Sequence, residues 1–418
     1  MALLPSHTHR DAAVLLATRG IRGFGDGVVS LAIVAVLRSY GFDGLHIGII
    51  VTGMLLGSAA VTLLVGTRGH AYSRHALLFA GSLLMITSGS LFGLFTSFAL
   101  LLAIGVVGTL NPSSGDVSMF VPLEQSMLAA TTPAVSRTAL YARYTFVGGM
   151  ATALGSLSIR IPEAIARHSS ISEQTALRWC FAVYAIAGVA LLLLYRSLDT
   201  ADASAGAERA APLGPSKPIV YRLAVLFSLD SFGGGFVVQS LLALWLFGRF
   251  DVSVGTAGTL LFVTGMLSAA SGCVAAWLAA RIGLVRTMVF THLPASCLLI
   301  VAAFMPSLPW AVAMLVMRSL LSNMDVPART SYVMAVVSPA ERAAAASVTN
   351  VPRSLAAALP PVAAGWMLDH STFGWPLVIA GVAKITYDLL LLHQFRHVRP
   401  AEETGWPETR RVTPRGRR

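Results

Sequence analysis

Three ionisable residues sit inside the first apolar stretch of this 418-residue chain: Arg19, Arg22 and Asp26. Their i, i+3, i+7 spacing puts all three on one face of a helix. At 1.5 Å per residue, Asp26 lies about 20 Å from the start of that helix. Charges so deep in an apolar segment need partners or a water-filled cavity. Two chemistries fit: a polar stripe that contacts a small molecule or carries a proton, or an Arg22–Asp26 pair neutralising itself at i, i+4. Gly20, Gly23 and Gly27 form a smooth neighbouring face suited to close helix packing.

The same pattern recurs later. Asp230 lies about 16 Å into the seventh stretch, followed by Gly233-Gly234-Gly235, with no basic residue within a turn. An isolated carboxylate in apolar surroundings holds its proton more tightly and suits proton uptake and release; the structural alternative is a partner from another helix, Arg353 first. Arg318 and Asp325 are seven apart and share a face, with Asn323 nearby and Pro327 expected to kink the helix. Asn350 and Arg353 reach mid-depth in the eleventh stretch. Lys384 and Asp388, four apart in the twelfth, are expected to pair. Asp116, Glu124 and Gln125 lie toward one membrane surface, with Arg137 and Arg143 just across the turn, an arrangement suited to a gate. Six basic and six acidic groups in or near the membrane permit extensive pairing and leave the sign of any solute open.

The elements that must position these residues are apolar and long. The chain is 55% hydrophobic and 12% charged, with a mean hydropathy of +0.72; soluble proteins carry about 25% charged residues. Twelve stretches are read as helices at about 11–38, 44–66, 75–97, 98–129, 137–159, 175–195, 219–248, 253–279, 284–305, 309–337, 340–368 and 373–397, each able to cross about 30 Å of hydrocarbon. Helix 4 is interrupted by Asn111-Pro112-Ser113-Ser114-Gly115. The fold class is therefore all-α and polytopic. The net charge of +11 is distributed by side. Loops and termini on one face hold Arg10, Arg68, Arg74, Arg137, Arg143, Arg196, Arg209, Lys217, Arg222, Arg281, Arg286, Arg329, Arg342 and seven arginines from Arg396 onward; the other face holds Arg38, Arg160, Arg167, Arg178 and Arg249. This asymmetry places both termini in the cytoplasm. It also reads the charge as topogenic and not as a nucleic-acid footprint, the basic tail being a solvated segment, with contact to anionic membrane lipids as the alternative. Cys180, Cys273 and Cys297 show neither metal spacing nor a disulfide framework. No cleavable signal peptide is evident, and the first helix is expected to serve as the insertion signal.

The halves repeat. Gly27–Asp43 corresponds to Gly235–Asp251 at an offset of 208, Asp116-Val117 to Asp325-Val326 at 209, and Arg137 with Ala153-Leu154 to Arg342 with Ala358-Leu359 at 205. The expected division is a six-helix bundle over 1–198, a cytoplasmic linker over 199–218, a second bundle over 219–399 and a basic tail over 400–418. Two parallel six-helix repeats are a transporter plan, with the site at mid-membrane between them. On these features residues 10–400 resemble the major facilitator superfamily. The family's G-x-L-A-D-R-x-G-R-K loop after helix 2 reads Gly66-Thr67-Arg68-Gly69-His70-Ala71-Tyr72-Ser73-Arg74-His75 here, and its second copy Leu278-Ala279-Ala280-Arg281-Ile282-Gly283-Leu284-Val285-Arg286. Gly66, Arg74, Leu278, Ala279, Arg281 and Gly283 match, and the Asp that latches the halves is missing from both copies. The helix 4 arginine that drug antiporters of the family use is Thr109 here, with Arg318 at the equivalent place in the second half; the antiporters' helix 5 Gly-Pro signature is absent.

Neither Lys217 nor Lys384 can complete a P-loop, no HExxH is present, and no room exists for a nucleotide-binding domain. The resemblance implies a monomeric secondary transporter of a small organic solute in a bacterial-type inner membrane, not an enzyme, without cofactor or metal, and proton-coupled in the efflux direction. Uptake of a nutrient or anion is the alternative; a lipid-modifying enzyme or a receptor is a more distant one. Arg19, Arg22, Asp26, Asp230, Arg318, Asp325, Asn350 and Arg353 are expected along the substrate and proton pathway. Arg74, Asp116, Glu124, Arg137, Arg143, Arg281, Arg286 and Arg342 are expected at a cytoplasmic gate.

Overall fold

Inside hydrocarbon an unpaired backbone amide costs several kcal/mol, so each apolar stretch must close its own hydrogen bonds as a helix. The computed structural model describes residues 10–68, 71–113, 118–130, 134–198, 213–338 and 341–395. Among the described residues the helices run α1 (Arg10–Ser39), α2 (Gly44–Arg68), α3 (Arg74–Leu94), α4 (Phe98–Val107), α5 (Phe120–Ala130), α6 (Ala134–Ser158), α7 (Arg160–His168), α8 (Glu173–Tyr195), α9 (Lys217–Gly235), α10 (Gln239–Phe250), α11 (Val254–Ile282), α12 (Leu284–Phe304), α13 (Leu308–Ser319), α14 (Asp325–Ala335), α15 (Arg342–Ala358), α16 (Pro360–His370) and α17 (Trp375–Phe395). Eight are long and apolar enough to cross a membrane alone, α9 and α10 counting as one. The remaining crossings are α6 and three broken rods: α4 with α5, α13 with α14, and α15 with α16. Ser73, Ser172 and Ser253 cap α3, α8 and α11 by accepting from the amides of Ala76, Thr175 and Thr256, each at 3.2 Å.

The packing repeats as the sequence does. α1 packs on α6 and α8, as α9 packs on α15 and α17; α3 pairs with α8 as α12 pairs with α17; α2 with α4 as α11 with α13. The halves meet reciprocally, α11 against α6, and α15 and α16 against α2. One apolar core runs across both halves, from Leu15, Val29, Met85 and Phe181 to Leu241, Trp245 and Leu377, and a second, around Leu223, Met288, Val289 and Tyr332, lies within the second half.

Two breaks lie at matching places. Helix 4 opens after α4, where the Asn111 side-chain oxygen accepts from the Ser113 amide and hydroxyl, both at 3.0 Å. Helix 10 opens at Leu320–Met324. In place of a kink at Pro327, the helix loosens just before it into a turn, in which the Arg318 carbonyl accepts from the Leu321 and Ser322 amides at 3.0 Å each. Pro327 then falls in the first turn of α14, where its missing N–H costs nothing.

Candidate functional site

The face where α1 begins and α17 ends is called the terminal face below. On the opposite face the two halves close on each other through backbone groups. Gly44 in α2 and Gly365 in α16 pack so tightly that a Cβ on Gly365 would lie 2.0 Å from the Gly44 carbonyl oxygen, so only glycine fits. The Asp369 carboxylate, at the end of α16, accepts from the amides of Gly44 (2.6 Å) and Leu45 (2.7 Å), capping α2 of the other half. Reciprocally Glu163, in α7, accepts from the Gly255 amide (2.9 Å) and the Ser253 hydroxyl (3.2 Å), capping α11. Glu163 and Asp369 are 206 residues apart, one off the repeat offset. Gln239 Nε2 donates to Ser156 Oγ at 2.9 Å, and the Ser240 amide to the Pro112 carbonyl at 3.2 Å. A small cavity lies in this seal, lined among others by Arg38, Trp245, Arg249 and Asp369.

Below the seal, each half encloses a charged cluster. Arg22 on α1 and Asp230 on α9 occupy equivalent positions at the 208 offset, with opposite charge. In the first half, Glu124 on α5 is fully buried and accepts from Thr18 Oγ1 (2.7 Å), Tyr195 OH (2.6 Å), Arg22 Nη2 (2.8 Å) and Tyr144 OH. Arg22 also donates to Tyr144 OH at 2.9 Å and lies 4.9 Å from the Phe120 ring centre; its Nε and Nη1 are buried without a protein acceptor. Of the two readings of the α1 stripe, the local Arg22–Asp26 pair gives way to an Arg22–Glu124 pair between helices. Glu124, expected beside Arg137 and Arg143 at the gate, faces α1 instead. Asp26 is buried on the same helix. Arg19 lies over Gly148 of α6, where a Cβ would come within 2.1 Å of its Nε, and 5.4 Å from the Tyr144 ring centre.

In the second half, Asp230 is held from two sides: Lys384 Nζ lies 2.7 Å from Oδ1 and Arg329 Nη1 3.0 Å from Oδ2. Arg329 also reaches Asp325 at 3.5 Å. His292 on α12 completes the cluster, its Nδ1 3.0–3.1 Å from both Asp388 oxygens and its Nε2 3.5 Å from Asp230. Three expectations are corrected here, and one residue is added. Lys384 and Asp388 do not pair with each other, because α17 turns both inward, onto α9 and α12. Arg353 is not the partner of Asp230; its Nε donates to Ser231 Oγ at 3.2 Å and its Nη1 to Asn350 at 3.0 Å. Arg329, counted with the topogenic loop charges, is buried at 7% exposure. His292 was not singled out, since a lone histidine in an apolar helix makes no pattern.

Arg318 ends α13 at the helix 10 break. Among the described residues neither it nor Arg353 has a carboxylate within 4.0 Å. Asp230, His292 and Asp325 bring three ligand atoms within 4.8 Å of one another. Both Asp230 oxygens are already engaged by fixed cations, so the chemistry of the group is ion pairing rather than metal binding.

Of the residues expected at the gate, Glu124 lies at the centre of the first-half cluster, while Arg281 and Arg342 make contacts outside both clusters. Arg281 stacks on Trp277 at 3.9 Å, and Arg342 Nε donates to the Met334 carbonyl at 3.1 Å, each within its own half. Arg74 stands in the first turn of α3, Arg286 is exposed near the start of α12, and Arg143 lies on α6. Asp116, His70 and the Arg137 side chain lie outside the described residues, as do the linker over 199–212 and the basic tail.

The Major Facilitator Superfamily model matches residues 223–416. An uncharacterized membrane protein of Saccharomyces cerevisiae is 23% identical over 421 residues, spanning 92% of this chain and 94% of its own. The crystal structure of a D-xylose-proton symporter superposes with a TM-score of 0.71 at 18% identity, over 91% of this chain and 97% of that one. A human organic anion transporter superposes with a TM-score of 0.62 at 16% identity, over 92% and 100%. The second half of the chain thus matches the Major Facilitator Superfamily model, and the whole chain, with its twinned bundles and reciprocal helix pairing, has the fold of these transporters.

Proposed function

We propose that the chain is a secondary carrier that moves one small organic solute across a bacterial-type inner membrane by alternating access, coupled to protons and working in the efflux direction, as a monomer with both termini in the cytoplasm. The observation that carries this reading is the seal between the halves at the opposite face, above two buried charged clusters. Helix caps and glycine contacts close the halves at the opposite face, and rocking of the bundles about the pseudo-dyad would exchange that seal for one at the terminal face. The proton-binding group is best sought around His292. It bridges Asp388 and Asp230, whereas protonating Asp230 alone would cost its bonds to both Lys384 and Arg329. Charged and titratable neighbours of His292 are Asp230 from α9, Asp325 and Arg329 from α14, and Lys384, Tyr387 and Asp388 from α17. Uptake with protons is the second reading, supported by the likeness to a xylose-proton symporter.

The test is flux in proteoliposomes under an imposed pH gradient, using a panel of labelled organic solutes. The expected result is saturable, gradient-dependent flux of at least one solute, and loss of proton coupling in His292→Gln and in Asp230→Asn. If both variants and Asp26→Asn couple protons like the parent, these groups are not the proton carriers. If no solute moves saturably, the carrier reading fails.

A further inference from the structure

Asp230, Asp325 and Asp388 share the second-half cluster with four permanent cations: Arg318, Arg329, Arg353 and Lys384. Lys384 and Arg329 neutralise Asp230 and Asp325, and His292 holds Asp388. Arg318 and Arg353 are left over, without a carboxylate within 4.0 Å among the described residues. Both are partly exposed at roughly mid-depth, about 15 Å into α13 and about 16 Å into α15. A guanidinium cannot reach headgroup water by snorkelling from there as it can near a helix end.

The local backbone points the same way. Arg318 lies at the end of α13, immediately before the Leu320–Met324 interruption, and irregular backbone at membrane depth is tolerated where it is buried in protein or lines a cavity. Ser322 in that interruption lies 3.3 Å from Ser268 of α11, the helix that meets α6 of the other half. Arg353 is pre-set on two sides, by Ser231 and Asn350, which keeps its planar fork oriented for a bidentate acceptor. The repeat supplies a counterpart. Arg353 corresponds to Gly148 at the 205 offset and Ser231 to Gly23 at 208. At that place in the first half the guanidinium of Arg19 lies over Gly148. Each half therefore carries one guanidinium at the equivalent position about the pseudo-dyad.

We infer that Arg318 and Arg353, beside the break in helix 10, form the binding site for the carboxylate or phosphate group of an anionic organic solute. The inference rests on the carrier reading and names its substrate class. A cationic solute would add to the excess of positive charge and leave both arginines without an anionic partner.

Isothermal titration of the full-length protein in phosphatidylcholine nanodiscs tests this. The anionic probes are inorganic phosphate, succinate and salicylate; succinamide and salicylamide serve as neutral probes and tetraphenylphosphonium as the cation. At least one anion is expected to bind about tenfold or more tightly than its amide, and to weaken about tenfold or more in Arg318→Gln and Arg353→Gln. Size exclusion and melting confirm folding. Should a glutamine variant not fold, Arg318→Lys and Arg353→Lys keep the charge but lose the planar fork, and they too are expected to weaken binding. Neutral or cationic probes binding as well as anions, anion affinity indifferent to all four substitutions, or no anion binding up to about 10 mM would each overturn the assignment. Loss of solute binding in phosphatidylglycerol nanodiscs would put a lipid headgroup on the guanidiniums and overturn it too. Flux separates the two readings: a neutral or cationic solute carried saturably and insensitive to these variants removes the anion and leaves the carrier. An anion that binds without gradient-dependent flux removes the carrier and leaves the site.

Discussion

Asp230 is the most constrained side chain in the second half, and its energetics follow from burial. Two cations pair with it at 2.7 and 3.0 Å, and its own side chain is 8% exposed. Removing Lys384 leaves Asp230 with Arg329 alone, which Asp325 already shares, so the site is under-compensated in a poorly solvated place; breaking a buried pair costs up to about 3–5 kcal/mol, whereas removing a whole pair can be nearly neutral. Lys384→Met is therefore expected to lower thermal stability sharply, and Asp230→Asn combined with Lys384→Met to recover much of the loss. A double-mutant cycle on melting temperature checks this; additive losses would mean that the pair is not the unit. The identity of these partners was not legible in the sequence. Lys384 and Asp388 sit at helical i, i+4 spacing, which suggests a local pair, but the inward face of α17 meets α9 and α12, and tertiary contacts override the local one. Arg329 looks like a loop charge because Thr330-Ser331 follow it, yet the interruption of helix 10 turns it into the core.

At the scale of elements, the breaks and caps do what uninterrupted helices cannot. The helix 4 break was readable from Asn111-Pro112-Ser113-Ser114-Gly115. The helix 10 break, at Leu320–Met324, itself contains neither Gly nor Pro, but Pro327 follows it and removes the amide that would bond back to the Asn323 carbonyl. Outside the membrane, Glu341 docks the start of α9 onto the loop before α15. It accepts from the Ser216 hydroxyl (2.7 Å), the Gly214 amide (2.5 Å) and the Ser338 hydroxyl (2.8 Å). These bonds, that from Ser216 first, pull its pKa down to about 2 from the usual 4.5. The folded-state value is depressed, so the docking contribution is present in full above about pH 4.5 and is lost as pH falls toward 2. Protection of the Gly214 amide from hydrogen exchange is expected to fall over that window in the parent. In Glu341→Gln it is expected to be lower throughout and independent of pH there; an unchanged profile would contradict the docking role.

For the whole molecule, duplication was the most legible feature, because offsets of 205, 208 and 209 between the halves survive in Gly, Asp and Arg positions. The use made of it was not legible: opposite charges at Arg22 and Asp230, and two carboxylates that cross the pseudo-dyad to cap helices of the other half. A side-chain cap is worth about 1 kcal/mol, so the two together bias a two-state equilibrium by roughly tenfold to thirtyfold. Asp369→Asn with Glu163→Gln is then expected to shift the population toward opening at the opposite face.

Paired spin labels report that population directly, with the native cysteines Cys180, Cys273 and Cys297 replaced. One pair, at Ser39 and Thr372, spans the halves at the opposite face; a second, at Tyr72 and Arg222, spans them at the terminal face; all four positions are exposed. Distances are measured by pulsed dipolar spectroscopy between about pH 5 and 8, with and without an anionic solute and in the two-cap variant. Alternating access requires the two distances to change in opposite senses, one lengthening as the other shortens, with the cap variant enriched in the form open at the opposite face. Distances that stay fixed under every condition, or that lengthen and shorten together, would contradict it.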